Sequence, residues 1–426
     1  MKKSVSFYTL GCRLNQAETA ILQQAFEHEG YTPVRFGQES DLVIVNTCTV
    51  TENGDTGTRK IVNRIHRTHP KARIALVGCQ AQTQKERLLE MPGVNWVIGN
   101  EVKMDLPRII REHMDDPGVI VPEIRRNSFT IPVAGIDHRH ARANLKIQDG
   151  CDAFCSYCEI PYARGRARSR VFDDLLQEAR ILADAGHREL VLTGINVGTY
   201  SYQDKTLADV VTALEEIPDL SRIRISSMEA TTFPAELLEL MTPEHKLCRF
   251  MHISLQSGSD KILKLMGRKY TRQQFADFLN VAYTSVPDIC LGTDVIVGFP
   301  GETDEDFEDT REYLASLPFT YFHVFSYSDR ENARSRKMDG KVPKKIIKER
   351  NQVLRDLSLQ KRQSYLERQL GKTGTVLFEN KKDGAWQGHT DTFIHVKVSS
   401  DLNIKNELLP VRLLSVDGQT ITGELL

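Results

Sequence analysis

Six of the eight cysteines in this chain fall into two groups of three. One group is tight, Cys151-Asp-Ala-Phe-Cys155-Ser-Tyr-Cys158. The other is spread as Cys12, Cys48 and Cys79, each closing a short apolar run. A structural zinc takes four ligands, and a four-iron cube likewise has four irons to satisfy. Three cysteines leave one coordination position for chemistry, so two such groups point to two reactive iron–sulfur centres. For the tight group a zinc site is the alternative, with His138 or His140 upstream as fourth ligand, although zinc sites usually pair two ligands in one knuckle with two in another. For the spread group the alternative is three cysteines buried at strand ends. Cys248 and Cys290 have no spaced partners and read as small buried hydrophobes.

The elements that must position these groups are legible in the periodicity. Apolar, β-prone runs at 4–10, 42–46, 74–77 and 94–98 alternate with helical patterns at 16–29 and 82–89. Such alternation predicts a parallel sheet covered by helices over 1–114, and functional groups of open α/β sheets collect beyond the carboxyl ends of the strands. Cys12, Cys48 and Cys79 all fall at that edge. Residues 115–143, with Asp-Asp-Pro-Gly, Pro122, Pro132 and the basic stretch 138–142, read as a linker. Over 144–342, six strand candidates (144–148, 189–193, 222–227, 251–256, 291–297, 321–326) are separated by helical stretches. This is a (β/α) barrel pattern two units short of eight, so one side should stay open to a large substrate. The tight cysteine loop follows its first strand. A charged helix over 343–370, with Ile347, Leu354, Leu357 and Leu366 as its packing stripe, leads to five short strands over 371–426, a small OB-like antiparallel β-barrel.

Bulk properties narrow the class. With 426 residues the chain can hold two to three domains, and 56 Lys+Arg against 57 Asp+Glu leave any nucleic-acid surface to be local. The N-terminus lacks a signal-peptide apolar core, and no apolar run approaches the ~18–20 residues of a membrane helix. A cytoplasmic protein without membrane contact is expected, where clustered cysteines serve metals more often than disulfides.

The motifs then carry a resemblance. Cys151-x3-Cys155-x2-Cys158 on a partial barrel resembles the radical S-adenosylmethionine (SAM) signature, and the wider chain is similar to the methylthiotransferase family within it. Thr9-Leu-Gly-Cys-Arg-Leu-Asn-Gln16, Asn46-Thr-Cys-Thr-Val-Thr51 and Gly78-Cys-Gln-Ala-Gln82 resemble that family's N-terminal cluster motifs. Ile147-Gln-Asp-Gly-Cys151, Ile160-Pro-Tyr-Ala-Arg-Gly-Arg166, Leu192-Thr-Gly-Ile-Asn196, Ser254-Leu-Gln-Ser-Gly-Ser259 and Asp294-Val-Ile-Val-Gly-Phe-Pro-Gly-Glu-Thr303 resemble its barrel. The C-terminal strands look like the family's RNA-binding TRAM domain. The best match is to the branch that converts N6-threonylcarbamoyladenosine at position 37 of tRNA to its 2-methylthio form. Sister branches act on N6-isopentenyladenosine of tRNA or on a ribosomal-protein aspartate. A reading from another class is a non-catalytic iron–sulfur RNA-binding or redox-sensing protein.

The resemblance implies two 4Fe–4S clusters, one on Cys151, Cys155 and Cys158 that binds and cleaves SAM, and one on Cys12, Cys48 and Cys79 that holds the sulfur to be transferred. Tyr157, between two of the ligands, and Thr193, Gly194, Gln256 and Ile296, at strand ends facing the cluster, are the candidate SAM contacts, with turn geometry as the alternative for the strand-end residues. An anticodon stem-loop as partner, a reductant such as flavodoxin or ferredoxin, and a monomer are also expected. The run Arg164, Arg166, Arg168 and Arg170 beside the cluster loop suits RNA phosphates, with a solvated loop as the alternative. Among Trp386, Phe393 and His395, Phe393 is the candidate to stack on a base. Two departures from the family pattern, Glu159 after the last cluster cysteine and Arg330-Glu-Asn-Ala-Arg-Ser335 after the sixth strand, bear on the substrate pocket.

Overall fold

Apolar runs that end near cysteines become neighbouring parallel strands. The computed structural model describes residues 3–50, 52–137 and 140–426; Thr51 and His138, both named above, lie outside them. Strands Ser4–Thr9, Leu42–Thr47, Arg73–Gly78 and Val94–Ile98 form the middle of a six-stranded parallel sheet whose edges are Thr32–Pro33 and Val119–Ile120. Helices cover both faces, so Leu42–Thr47 is buried at every position. Leu42 and Ile44 join the core with Phe26 and Trp96, while Val43 and Val45 join the opposite one with Val62 and Ile65. Each such side chain contributes about 1.5–3 kcal/mol on burial. The register sets Thr9 opposite Asn46 and Thr47 opposite Gly78, which levels the strand ends. The segment read as a linker contributes the sixth strand, Val119–Ile120, and its last two residues already belong to the first barrel strand.

That barrel has the six strands expected: Arg142–Lys146, Glu189–Thr193, Arg222–Ile225, Phe250–His252, Cys290–Val297 and Tyr321–Ser326. They pair as two three-stranded parallel sheets linked by isolated bridges such as Met228 to Ile253. Among the described residues the first and sixth strands do not pair, so the barrel is open there. The helix Arg13–His28 packs against the first strand, and Arg330, just past the sixth, donates to the Thr49 carbonyl at 3.3 Å, so the N-terminal sheet domain spans the gap. Strand alternation sends Leu145, Leu192, Ile225, Ile253 and Val295 outward into a core with the helices. It turns Arg142, Asn144, Glu189, Arg224, His252, Ser254, Asp294 and His323 inward. Packed barrel cores are filled by branched apolar chains. A lumen lined by charge and imidazole is instead a place for a polar ligand.

Helix Lys344–Glu367 lays Leu354 and Leu366 into the cores, with Ile347 and Leu357 partly covered. The C-terminal strands Thr373–Lys382, Ala385–Thr390, His395–Ser399, Thr420–Leu425 and Leu408–Asp417 close a barrel in that spatial order. One junction departs from the antiparallel expectation: His395–Ser399 and Thr420–Leu425 run parallel. This small barrel docks beneath the larger one, where the strands begin. Arg222 donates to the His389 carbonyl at 2.9 Å, Arg224 to that of Asp391 at 2.8 Å, and Arg249 pairs with the Asp391 carboxylate at 2.7 Å.

Candidate functional site

The spread cysteines meet where three adjacent strands end. Cys12 caps the helix Arg13–His28, Cys48 follows Leu42–Thr47, and Cys79 opens the helix Cys79–Leu89. Gly11 has φ +93°, and a Cβ there would lie 2.7 Å from the Cys48 Cβ, so only glycine lets the Cys12 turn approach Cys48 this closely. The Asn15 amide donates to the carbonyls of Leu10 at 2.7 Å and Thr47 at 2.9 Å, tying two of the cysteine-bearing turns together. The Thr47 hydroxyl accepts from the backbone N–H groups of Gln80 and Ala81 and fixes the third. Burial, with Cys79 beside it, pushes the Cys48 thiol up to about 12; burial raises Cys79 as well.

The tight cysteines lie on the loop after the first barrel strand. The Cys151 N–H donates to the Gly165 carbonyl at 3.1 Å, the Cys158 N–H to that of Cys155 at 3.0 Å, and the Ala153 N–H to the Cys151 sulfur at 3.4 Å. Burial pushes Cys151 to about 11 and Cys158 to about 12, and in both cases neighbouring cysteines add to the rise. Thiols this reluctant to ionise become thiolates when a cation joins them. All eight cysteines are free of disulfides. Among the described residues no three Cys, His, Asp or Glu donors close on one point as a single ion requires. A zinc ion needs its sulfurs about 2.3 Å from one centre. In an iron–sulfur cube each thiolate meets its own iron instead of one shared centre.

One guanidinium touches each triplet. The Arg268 Nη1 donates to the Cys155 sulfur at 3.4 Å and pairs with Glu229 at 2.9 Å. The Arg164 Nε donates to the Cys79 sulfur at 3.2 Å. Arg164 belongs to the barrel, and with Lys146 of the first strand it forms a buried network with Glu18 and Lys103 of the N-terminal domain. Arg164 lies 2.9 Å from Glu18 and 3.0 Å from Asp149, Lys146 2.8 Å and 2.7 Å from the same two carboxylates, and Lys103 2.5 Å from Glu18. Arg164, Lys146 and Lys103, with Arg168 3.7 Å from Asp149, outnumber the two carboxylates, and Arg164 presents its charge to Cys79. Burial opposes ionisation of Glu18 and Asp149, yet Arg164 and Lys146 hold both carboxyls well below their usual range.

The network corrects the reading of the arginine run. Arg164 is wholly buried, Arg168 pairs with Glu101 at 3.0 Å, and Arg170 is enclosed by Asp174 and Glu178, so none of the three is free for an RNA phosphate. Arg166 is exposed, stacks on Phe154 and pairs with the likewise exposed Asp152 at 3.3 Å, a surface pair that a phosphate can displace. Phe393 does not face solvent for base stacking: it packs on Phe250 and His389 where the two barrels meet. Trp386 is core, and its Nε1 donates to the Leu402 carbonyl. The two departures from the family pattern answer each other. Glu159 accepts from the Asn332 N–H, Arg330 pairs with Asp55 at 2.8 Å, and Arg334 donates to the Phe154 carbonyl at 2.8 Å. The 330–335 loop is a clamp between the Cys48 turn and the Cys155 loop.

The residues named for SAM lie along the carboxyl rim of the barrel strands. Thr193 is buried and its hydroxyl donates to the Leu145 carbonyl. Gly194 lies against Gln148, whose Oε1 a Cβ would approach to 2.7 Å and which accepts from the N–H groups of Ile195 and Asn196. Gln256 adopts φ +77°, costly for a side-chain-bearing residue, with its N–H on Asp294 and its carbonyl on Ile296. Tyr157 packs against Ile262, Met266 and Phe299. Sequence reasoning missed Arg268, Glu229 and Gln148, and the lumen row of His252, Asp294 and Tyr321. The His252 Nε2 is 3.1 Å from Asp294 and its Nδ1 3.1 Å from the Tyr321 hydroxyl. The alternation Phe250, His252, Ser254 was a signal for that row. Arg268 has no local signal, because only the fold brings it to Cys155.

Comparison with known proteins adds independent findings. The radical SAM superfamily model matches residues 145–314, and that of uncharacterized protein family UPF0004 matches 4–99. The chain is 39% identical over 387 residues to the threonylcarbamoyladenosine tRNA methylthiotransferase MtaB of Aquifex aeolicus, covering 88% of this chain and 93% of that one. Its counterpart in Bacillus subtilis is 34% identical, with 96% and 94% covered. The tRNA-2-methylthio-N(6)-dimethylallyladenosine synthase of Geobacillus kaustophilus is 31% identical, with 100% and 83% covered. Among solved structures, the radical SAM methyltransferase TsrM of Kitasatospora setae superposes with a TM-score of 0.56 at 17% identity, over 76% of this chain and 73% of that one. Identity that low speaks to fold alone. No helix among the described residues is long and apolar enough to cross a membrane.

Proposed function

The chain belongs to the radical SAM tRNA methylthiotransferases, and on that premise we propose that it converts N6-threonylcarbamoyladenosine at position 37 of tRNA to its 2-methylthio form. The observation that carries this reading is that the cysteines converge as two groups of three, one at the strand ends of the N-terminal sheet and one on the loop after the first strand of a barrel with a polar lumen. Identities of 39% and 34% to relatives named for the threonylcarbamoyl nucleoside, against 31% to one named for the dimethylallyl nucleoside, support the substrate.

Its cofactors are SAM and two 4Fe–4S clusters. In our reading Cys151, Cys155 and Cys158 hold one cluster and Cys12, Cys48 and Cys79 the other. When bound, these groups supply the one-electron chemistry and the sulfur that an adenine C2–H demands, since acid–base catalysis has no hold on that bond.

The chain's own residues do the rest. Arg268 keeps a positive charge against the Cys155 sulfur, anchored by Glu229 and the Ser254 carbonyl. Gln148 fixes the 194–196 turn, so that Thr193, Gly194, Gln256, Ile296 and Tyr157 form the SAM rim. The His252–Asp294–Tyr321 row lines the lumen in which the base would sit. The N-terminal domain closes the open side and the C-terminal barrel the floor, which together exclude water from a radical reaction. Arg166 is the member of its run left to meet the anticodon stem-loop. Acting as a cytoplasmic monomer, the protein would take its electrons from a flavodoxin or ferredoxin.

The test is mass spectrometry of tRNA nucleosides from a strain lacking this protein. The methylthio threonylcarbamoyl nucleoside should vanish and return with the wild-type gene but not with Cys48→Ala. An unchanged nucleoside profile would sink the reading.

A further inference from the structure

Arg13, the residue after Cys12, carries a guanidinium that the rest of the molecule does not neutralise. It lies at the floor of the barrel lumen, 5.6 Å from the centre of the Phe393 ring. Arg142 stands over the same ring at 5.6 Å and Arg224 at 5.0 Å. Three cations thus border one aromatic ring where the two barrels meet.

Their commitments differ. Arg224 is saturated by Glu189 at 2.7 Å and by the carbonyls of Asp391 and Thr390. Arg142 gives its Nη2 to Glu379 at 3.0 Å, while its Nη1 is buried with no partner. Glu379 is itself shared with His389 at 2.8 Å. Among the described residues Arg13 has no hydrogen-bond or ion-pair partner at all. Arg13 and Arg142 both line a cleft of about 410 Å³ whose other walls include Thr9, Gln16 and Asn144, together with Asp137, His140 and the Glu379 already engaged by Arg142 and His389. An unpaired guanidinium donor held away from water, as the Arg142 Nη1 is, is costly, while the partly exposed Arg13 keeps its donors open to the cleft. A cavity that presents the two guanidiniums together, with hydroxyl and amide groups alongside, is complementary to a carboxylate.

Resting on the threonylcarbamoyl reading above, we propose that Arg13 and Arg142 read the carboxylate of the substrate's N6 substituent and so determine which adenosine is accepted. In adenine a single ring nitrogen separates C2 from C6. A base presenting C2 to the Cys12 centre therefore carries its N6 substituent close by, and Arg13 is the next residue along the chain. The threonylcarbamoyl group ends in a carboxylate and a hydroxyl, which Thr9, Gln16 and Asn144 can complement. A dimethylallyl group in the same cleft would cover Arg13 and leave it, and the Arg142 Nη1, without a partner. Such a site rejects an analogue lacking the polar partner far more strongly than an apolar pocket rejects a larger one.

The experiment uses full-length, cluster-loaded protein and three anticodon stem-loop RNAs identical except at position 37: threonylcarbamoyladenosine, its methyl ester, and adenosine. Wild type should bind the acid about 10- to 100-fold tighter than the ester, as for a charge-assisted pair lost on esterification. Arg13→Gln should lose most of the acid preference and Arg13→Gln with Arg142→Gln all of it, with adenosine RNA bound as in wild type, and Arg13→Lys should recover part of the preference. Iron content and visible absorbance should match wild type in all three variants, which separates reading from cluster assembly. Equal weakening on all three RNAs would make Arg13 a backbone-phosphate contact or a structural residue, and an undiminished acid preference in Arg13→Gln would make it a bystander; either result overturns the assignment. If wild type leaves the threonylcarbamoyl RNA unmodified, the substrate reading itself fails, and the carboxylate site with it.

Discussion

The two cysteine triplets are built in opposite ways. Cys151, Cys155 and Cys158 sit on eight consecutive residues, and local hydrogen bonds such as Cys158 N–H to Cys155 carbonyl shape their loop. Cys12, Cys48 and Cys79 are brought together by the register of three strands and by the close approach that Gly11 permits. The tight site is a property of a loop. The spread site is a property of a whole sheet, and it also leans on its neighbour, because the guanidinium against Cys79 comes from the barrel. A cluster held by Cys12, Cys48 and Cys79 would therefore depend on correct docking of the two domains.

The largest effects should come from breaking one triplet at a time. Cys155→Ala should abolish SAM cleavage to 5′-deoxyadenosine and all methylthio product. Cys48→Ala should retain cleavage while losing product, with about four irons remaining as for one cube. Chromatographic assay of deoxyadenosine beside nucleoside mass spectrometry separates the two, and product from Cys48→Ala would collapse the division of labour. Gly11→Ala should come next. Its Cβ meets Cys48 at 2.7 Å in a left-handed backbone, so the spread site should lose its iron while the tight site keeps a cluster. Iron analysis with electron paramagnetic resonance would detect this, and a full iron complement in Gly11→Ala would show that the spread site tolerates strain the geometry forbids.

The same contrast explains what could be read from the sequence. The tight site was legible because its spacing is its geometry. The spread site was legible at one remove, since each of its cysteines ends an apolar run and parallel strands align such ends. All six barrel strands were likewise visible in alternation and length. The arginine run misled because a cluster of charge reads the same whether it faces solvent or a buried carboxylate; Glu18, the partner that buries Arg164, lies 146 residues away. For the same reason Arg268 and Arg13 escaped notice. The parallel junction between His395–Ser399 and Thr420–Leu425 escaped because strand periodicity carries no direction.

Arg164 and Arg268 sharpen the comparison at the level of stability. Removing one partner from a buried ion-pair network costs about 3–5 kcal/mol, because the others are left charged and unpaired. Arg164→Met should therefore weaken the whole protein in denaturant and loosen the spread site with it. Arg268→Met strips Glu229, which is only half-buried, and should cost less in stability while weakening SAM binding. Equilibrium unfolding and SAM titration together test the pair, and equal destabilisation by the two substitutions would mean that the interdomain network has no special weight.

Acid should produce the smallest and most gradual version of the same distinction. Burial disfavours charge on Glu18 and Asp149, but Arg164, Lys103 and Lys146 hold both carboxyls below their ordinary values of 4.5 and 3.8. Groups depressed in the folded state stabilise it fully above the unfolded value, and that stabilisation is lost as pH falls through the folded one. Docking of the N-terminal sheet should therefore hold at neutral pH and weaken progressively below about pH 4.5. The chain has two tryptophans, and Trp96 is buried in the N-terminal sheet with its Nε1 on the His113 carbonyl. With Trp386→Phe as background, Trp96 fluorescence in denaturant at stepped pH isolates that domain. Its midpoint should fall with acid in the parent. In Glu18→Gln, where one titrating group of the network is gone, the midpoint should start lower and slope less. A slope identical in both would remove Glu18 from the linkage and leave the spread site's dependence on docking to be carried by Arg164 and Asp149.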